Sequence, residues 1–231
     1  MKYPFRYFNS SPEVIRLAVM MYIRYPLSLR QVEDLLFERG IDICHETVRF
    51  WLNRFGPMFA AKIRKHRIQS HSYSNWCWHM DEVFVRINGQ THYLWRAVDH
   101  EGEVLEIFAT KRRDRTAALQ FLKRAMKRYG RPKKIVTDRL RSYGAAMKVI
   151  GNSEHQECAR WLNNRAENSH QPFRRREGAI AKFRGLKTLQ KFASVHASIH
   201  NHFNLERHLY RRDIFNQNRA TALAEWRQLA A

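Results

Sequence analysis

Acidic residues are scarce in this chain, 21 Asp+Glu against 42 Lys+Arg, so an acid set among apolar residues calls for a reason. Asp81 is one. It lies in Trp76-Cys77-Trp78-His79-Met80-Asp81-Glu82-Val83-Phe84-Val85-Arg86-Ile87, a strand pattern closed by Asn88-Gly89, a pair suited to the positive φ angles of a two-residue hairpin loop. Alternation places Asp81 with His79, Val83, Val85 and Ile87 on one face, and Glu82 with Trp78, Met80, Phe84 and Arg86 on the other. An ionised carboxylate on such a face is costly unless it is paired, hydrogen-bonded or bound to a cation. Asp138 ends a second strand pattern, Lys134-Ile135-Val136-Thr137, at the carboxyl edge where open α/β sheets gather ligands. It also reads as the N-cap of the helix that follows. A third acid must come from Glu154, Glu157, Glu167 or Glu177, around the last strand and its helix. Glu167 falls in the first turns of that helix. Glu177 sits in the basic run Arg174-Arg175-Arg176-Glu177 and reads as a surface ion-pair partner. Carboxylates that converge make a site for hard divalent cations.

The elements that must position these acids follow a clear order. Residues 12–25 carry a helical apolar stripe ending at Tyr25-Pro26. Ser28 with Gln31 opens a second helix as a capping box, and Gly40 stops it. A third helix is expected over residues 44–55, with Val48, Trp51, Leu52 and Phe55 inward and Gly56-Pro57 as its end. Three short helices with a tight turn before the last form a helix-turn-helix pattern. Its outer face offers His45, Glu46, Arg49 and Asn53, and Arg and Asn suit guanine and adenine edges. His45 and Thr47 stand where a helix N-terminus meets phosphate. A plain three-helix bundle with a solvated polar face is the alternative. Residues 58–66 continue as a basic helical piece, and the polar stretch Gln69-Ser70-His71-Ser72-Tyr73-Ser74-Asn75 marks a boundary. Beyond it an antiparallel meander gives way to alternating helices and strands, a βββαβαβα mixed sheet with helices on both faces. The expected divisions are residues 1–69, 70–210 and 211–231, the last a helical tail around Trp226.

Composition bounds the function. Hydrophobic residues at 44% and aromatics at 13% argue for a folded core rather than general disorder. A net charge of +21 repels itself in the folded state and is relieved by a polyanion, nucleic acid first. The basic residues are spread along the chain instead of lining one amphipathic helix, which argues against a membrane surface as the partner. Cys44, Cys77 and Cys158 form no C-x-x-C pair, which fits a reducing cytosol and no zinc finger. His196 and His200 share a helix spacing that can bind zinc, but the rest of an H-E-x-x-H motif is missing.

Taken together, the helix-turn-helix, Trp78-His79-Met80-Asp81-Glu82, Tyr93-Leu94-Trp95-Arg96-Ala97-Val98-Asp99, Val136-Thr137-Asp138 and Asn163-Asn164-Arg165-Ala166-Glu167-Asn168-Ser169-His170 resemble the bacterial DDE transposases of the insertion-sequence-6 family. The resemblance runs from about Pro12 to His208. It implies a ribonuclease H-like catalytic domain behind an all-α N-terminal domain, with Asp81, Asp138 and Glu167 as three metal-binding carboxylates. It implies replicative, cointegrate-type transposition between short terminal inverted repeats and target double-stranded DNA. A homodimer or higher oligomer would synapse the two ends, in the bacterial cytoplasm on the nucleoid. Many such enzymes carry a basic residue two helical turns after the glutamate, and Arg174 matches, or Arg175 if Pro172 kinks the helix.

The chemistry has its own rationale. Breaking a phosphodiester needs an activated oxygen and a stabilised leaving oxygen, in line across phosphorus. Two divalent ions about 3.5–4 Å apart hold both, and three carboxylates hold the ions. Magnesium fits, with manganese as a substitute. The expected arrangement has Asp81 bridging both ions, with Asp138 and Glu167 on one each. A competing reading is a non-catalytic helix-turn-helix regulator, which would bind repeat DNA without nicking it. A nuclease on RNA–DNA hybrids is disfavoured, because an A-like duplex hides the groove that the helix-turn-helix reads.

Overall fold

The computed structural model describes residues 3–70, 76–138, 140–158, 163–180, 183–204 and 210–229. Near the N-terminus, helix α1 (Pro12–Arg24) is capped by Ser11, whose hydroxyl accepts the Val14 N–H, and has proline in its first turn. Helix α2 (Leu29–Phe37) starts with the expected capping box: the Ser28 N–H donates to Gln31 Oε1 at 2.7 Å and the Gln31 N–H to Ser28 Oγ at 3.1 Å. Gly40, at φ +73°, takes the left-handed turn that follows.

Helix α3 corrects the sequence reading. It runs unbroken over His45–Ser70, straight through Gly56-Pro57. A proline inside a helix removes the N–H that would serve the carbonyl four residues back, here that of Asn53. Lys191, on the distant helix α7 (Leu186–Phe203), serves it instead: its Nζ lies 3.1 Å from Asn53 O and 3.2 Å from Asn53 Oδ1. Gly56 has a matching reason. A Cβ there would stand 3.3 Å from Val195 Cγ1, so α7 packs closely against α3 at that point. Both supposed stop signals are where a second helix docks.

The first core is drawn from both ends of the chain. Ile15, Val19, Val32, Trp51, Phe55, Phe59 and Ile63 share it with Val195, Ile199 and Phe203 of α7 and with Trp226 of α8 (Arg212–Gln228). Trp226 packs on Phe59 and Phe203, with ring centroids 5.2 and 5.5 Å away, and its Nε1 donates to Arg16 O. Trp226→Ala is expected to destabilise the protein by about 3–5 kcal/mol, read as a lower urea midpoint of the full chain.

The central region is a five-stranded sheet of order β3-β2-β1-β4-β5. Strands β1 (Cys77–Ile87), β2 (Gln90–Val98) and β3 (Val104–Thr110) form the antiparallel meander. Its first turn has Asn88 and Gly89 at φ 50° and 78°, as the Asn-Gly signal requires. Helix α4 (Arg115–Tyr129) crosses to β4 (Lys134–Thr137), which pairs parallel with β1. Helix α5 (Arg141–Ile150) leads to the short β5 (Gln156–Glu157), parallel to β4. Helix α6 (Asn164–Ala179) follows and continues through Pro172.

Both sheet faces are buried. Trp78, Met80 and Trp95 pack with Phe121 of α4 and Tyr143 of α5. Val83, Val85 and Ile87 pack with Ala166 and Phe173 of α6 and Leu189 and Ala193 of α7. This is the expected βββαβαβα mixed sheet with helices on both faces, behind a helical N-terminal region. The tail helix starts at Arg212, and much of the polar boundary stretch, residues 71–75, lies outside the described residues.

Candidate active site

Strand β4 brings two acids together by register. Its last pair with β1 is Thr137 opposite Met80, so Asp138 follows on beside Asp81. Oxygens of Asp81, Glu82 and Asp138 all lie within 4.8 Å of one another. Asp81 Oδ1 accepts the Glu82 N–H at 2.8 Å, and Asp138 Oδ1 accepts the Leu140 N–H at 3.0 Å. Asp138 is not the N-cap of α5: Leu140 takes that position, with no side-chain capping bond, and Asp138 acts on the turn before it instead. Its Oδ1 holds the turn before α5, while the other oxygen, Oδ2, lies 3.3 Å from Arg113 Nη2.

Glu82 is the acid that sequence alternation set aside. Its side chain does point to the opposite face, and it is buried there at 4% exposure. Because β4 ends at Thr137, no β4 residue pairs with β1 beyond Met80, and Asp138 is close to acids on both faces. Arg113 pairs with Glu82, and the Tyr143 hydroxyl donates to Glu82 Oε2 at 3.3 Å. Burial, joined by the Asp138 charge and opposed by Arg113, pushes Glu82 up to about 7. Burial likewise raises Asp81 to about 6, with the Asp138 and Glu167 charges adding to it and the Glu82 N–H working against it. Nothing local in the basic run Lys111-Arg112-Arg113 singles out Arg113 as the residue that turns inward.

Helix α6 carries Glu167 in its first turn. Its N-terminus is pinned to β1 by Asn163, whose Nδ2 donates to Met80 O at 3.1 Å, and to β2 by Arg96, whose Nη2 donates to Ser169 O at 2.8 Å. Glu167 is exposed and lies outside the closest group, near enough for its charge to act on Asp81. Of the other glutamates considered, Glu157 pairs with Lys134 and Glu177 with Arg174, each at 2.6 Å. Glu154 lies in the 3-10 turn before β5.

Two basic side chains lie beside Asp81, one charged and one neutral. Arg96 is buried among apolar side chains, which lowers it to about 10 while the Asp81 charge supports its protonation. His170 Nε2 lies 3.8 Å from Asp81 Oδ2, but burial, then Arg96 and Arg174, push the imidazole down to about 3. His170 is thus a neutral neighbour of Asp81. Burial first, then Arg96, also lowers His200 to about 4. It stacks on His196, with ring centroids 5.7 Å apart, as a packed pair.

The outer face of α3 has local partners. His45 Nδ1 lies 2.9 Å from Glu33 Oε2, Arg49 pairs with Glu46 at 2.6 Å, Thr47 Oγ1 is 3.3 Å from Cys44 Sγ, and Asn53 is held by Lys191. His45, Arg49 and Asn53 line a groove of about 710 Å³ with Arg30, Arg184 and Lys191. Arg174 and Arg175 stand exposed on α6. A second acidic group, Asp99, Glu101 and Glu103, gathers in the turn between β2 and β3. There Asp99 Oδ1 accepts the Glu101 and Glu103 N–H groups, and Arg67 of α3 pairs with Glu103.

Residues 75–206 match a family profile described as a DDE domain, of the IS240 type. The chain is 37% identical over 171 residues to the transposase for insertion sequence-like element IS431mec of Staphylococcus aureus, covering 72% of this chain and 75% of that one. It is 36% identical, over the same shares, to the transposase for insertion sequence element IS257 in transposon Tn4003 of Staphylococcus aureus. Among solved structures, the HTLV-2 integrase catalytic core domain in complex with magnesium superposes with a TM-score of 0.43 at 15% identity, covering 58% of this chain and 90% of that one.

Proposed function

The chain belongs to the insertion-sequence-6 family of DDE transposases, and on that premise we propose that Asp81, Asp138 and Glu167 are its metal-binding carboxylates, acting on the terminal inverted repeats of an insertion sequence. The observation that carries this reading is the convergence of Asp81 and Asp138 at the end of β4, with the Glu167 charge acting on Asp81. The donor set suits a hard divalent cation: every candidate ligand is a carboxylate. Burial and mutual repulsion hold Asp81 above its ordinary range, and a bound cation relieves both. Magnesium, or manganese in its place, would supply Lewis-acid stabilisation of the attacking and leaving oxygens of a phosphodiester.

The protein's own contribution is placement. The β1–β4 register fixes Asp81 beside Asp138, and Asn163 and Arg96 fix the helix that carries Glu167. The buried Arg96 favours the ionised form of Asp81. Neutral His170 fills the space next to Asp81 without competing for a cation by charge. Arg174 and Arg175 are exposed on the Glu167 helix, suited to DNA phosphates.

We assign DNA reading to residues 1–69, with His45, Glu46, Thr47, Arg49 and Asn53 toward the duplex, and chemistry to residues 70–210. Residues 211–231 serve as a tail whose Trp226 seals the first core. The expected course is end cleavage, then attack of the freed 3′-hydroxyl on target DNA to give a cointegrate. Two ends must be held at once, so the working form is a dimer or larger. Repeat-end DNA is expected to be nicked and joined with Mg²⁺ and to be bound without nicking in EDTA. Binding without any nicking in both conditions would favour a non-catalytic regulator.

A further inference from the structure

Arg113 follows β3 and turns its side chain back across the end of the sheet. The guanidinium pairs with Glu82, lies 3.3 Å from Asp138 Oδ2, and has Cζ 5.4 Å from the centre of the Phe84 ring. Its side chain is 31% exposed, whereas that of Glu82 is 1% exposed. Arg113 therefore stands at the mouth of the acid cluster, with Glu82 behind it.

The two carboxylates hold Arg113 in different ways. Glu82 is fixed from below by the Tyr143 hydroxyl, in a buried setting where its charge needs a partner. Asp138 is fixed through Oδ1 by the Leu140 N–H, and the oxygen turned to Arg113 is Oδ2. That leaves Oδ2, the oxygen not taken by a backbone N–H, for a cation shared with Asp81. The geometry points to Arg113 as a positioning residue: an internal cation that competes with a divalent ion for Asp138 and that Glu82 draws aside when the ion binds. The Phe84 ring supports the guanidinium on the Glu82 side, where a cation over an aromatic face is favourable. With Glu82 and Asp138 oxygens within 4.8 Å of each other, a small shift exchanges one partner for the other. Glu82 thus acts on the metal site without being one of its ligands.

This inference rests on Asp138 being a metal ligand, and the test separates the two. Mn²⁺ binding to the full chain, without DNA, is measured by the paramagnetic resonance of free Mn²⁺. Arg113→Gln is expected to bind Mn²⁺ about tenfold more tightly, because a charge next to Asp138 is removed. Glu82→Gln is expected to bind about tenfold more weakly, because the guanidinium then falls wholly to Asp138. The double variant should follow Arg113→Gln. Should Arg113→Gln fail to fold, Arg113→Met, which keeps an apolar stem beside Phe84 without the charge, is read in its place and should bind more tightly than the unaltered chain. Opposite shifts in the two single variants are not expected of residues with a purely structural role. If Asp138→Asn binds Mn²⁺ like the unaltered chain, the metal reading itself fails. If Asp138→Asn loses binding but the Arg113 and Glu82 variants shift together or not at all, the competition is refuted.

Discussion

Asp81→Asn is expected to abolish strand cleavage and joining while making the metal-free fold more stable. As Asp81 is a proposed metal ligand, its loss should lower the rate by on the order of 10³-fold or more, about 4 kcal/mol at 1.36 kcal/mol per decade. The stability gain follows from the sign of the Asp81 shift. Burial, with the Asp138 and Glu167 charges, raises its carboxyl from 3.8 to about 6. In the unfolded chain it ionises near its ordinary value. Its contribution to stability is therefore fully present below about pH 4 and lost as pH rises through about 6. Asparagine removes that penalty, so at pH 7 in EDTA the variant should be more stable by on the order of 2 kcal/mol. At pH 4 the two should converge. Urea midpoints at both pH values, beside a gel assay of strand transfer, check the two halves. An active variant, or one less stable at pH 7, would count against a strained cation site. Function here is set against stability, as is common where like charges are gathered for catalysis.

Arg176→Ala is expected to damage both stability and catalysis from the far end of α6. Arg176 is 2% exposed, lies with Cζ 4.5 Å from the centre of the Tyr22 ring, and donates from Nη1 to Leu27 O at 2.9 Å. It docks the helix that carries Glu167 onto α1 and the segment before α2. Truncation leaves a cavity and an unserved carbonyl, at a cost of about 3 kcal/mol. Glu167 is nine residues away on the same helix, roughly 14 Å at 1.5 Å per residue. A small displacement of α6 should therefore lower strand transfer by about ten- to a hundredfold in protein that is still folded. Loss of stability with unchanged transfer would mean that the N-terminal helices do not help place Glu167.

Much of this arrangement was legible in the chain because the signals are local. Asn88-Gly89 and the alternating strand fixed the hairpin, Ser28 with Gln31 fixed a helix start, and Val136-Thr137-Asp138 put an acid at a strand end. What was hidden depends on partners distant in sequence. Gly56-Pro57 reads as a stop, yet Lys191 serves the carbonyl that Pro57 orphans and Val195 packs where Gly56 has no side chain. Alternation puts Glu82 on the correct face but says nothing about where the neighbouring strand ends. Once β4 stops at Thr137, Asp138 is within reach of both faces. The tail around Trp226 reads as a helix, but its sequence does not name the partners of the indole, which are Phe59 and Phe203.

The central claim is that a divalent ion sits between β1, the end of β4 and the start of α6. Fe²⁺ in place of Mg²⁺, with ascorbate and peroxide, generates hydroxyl radicals that cut the backbone beside the bound ion, and mass spectrometry maps the cuts. Scission is expected next to Asp81, Asp138 and Glu167, and excess Mg²⁺ should suppress it. Cuts confined to the turn of Asp99, Glu101 and Glu103, where three carboxylates also gather, would contradict the assignment.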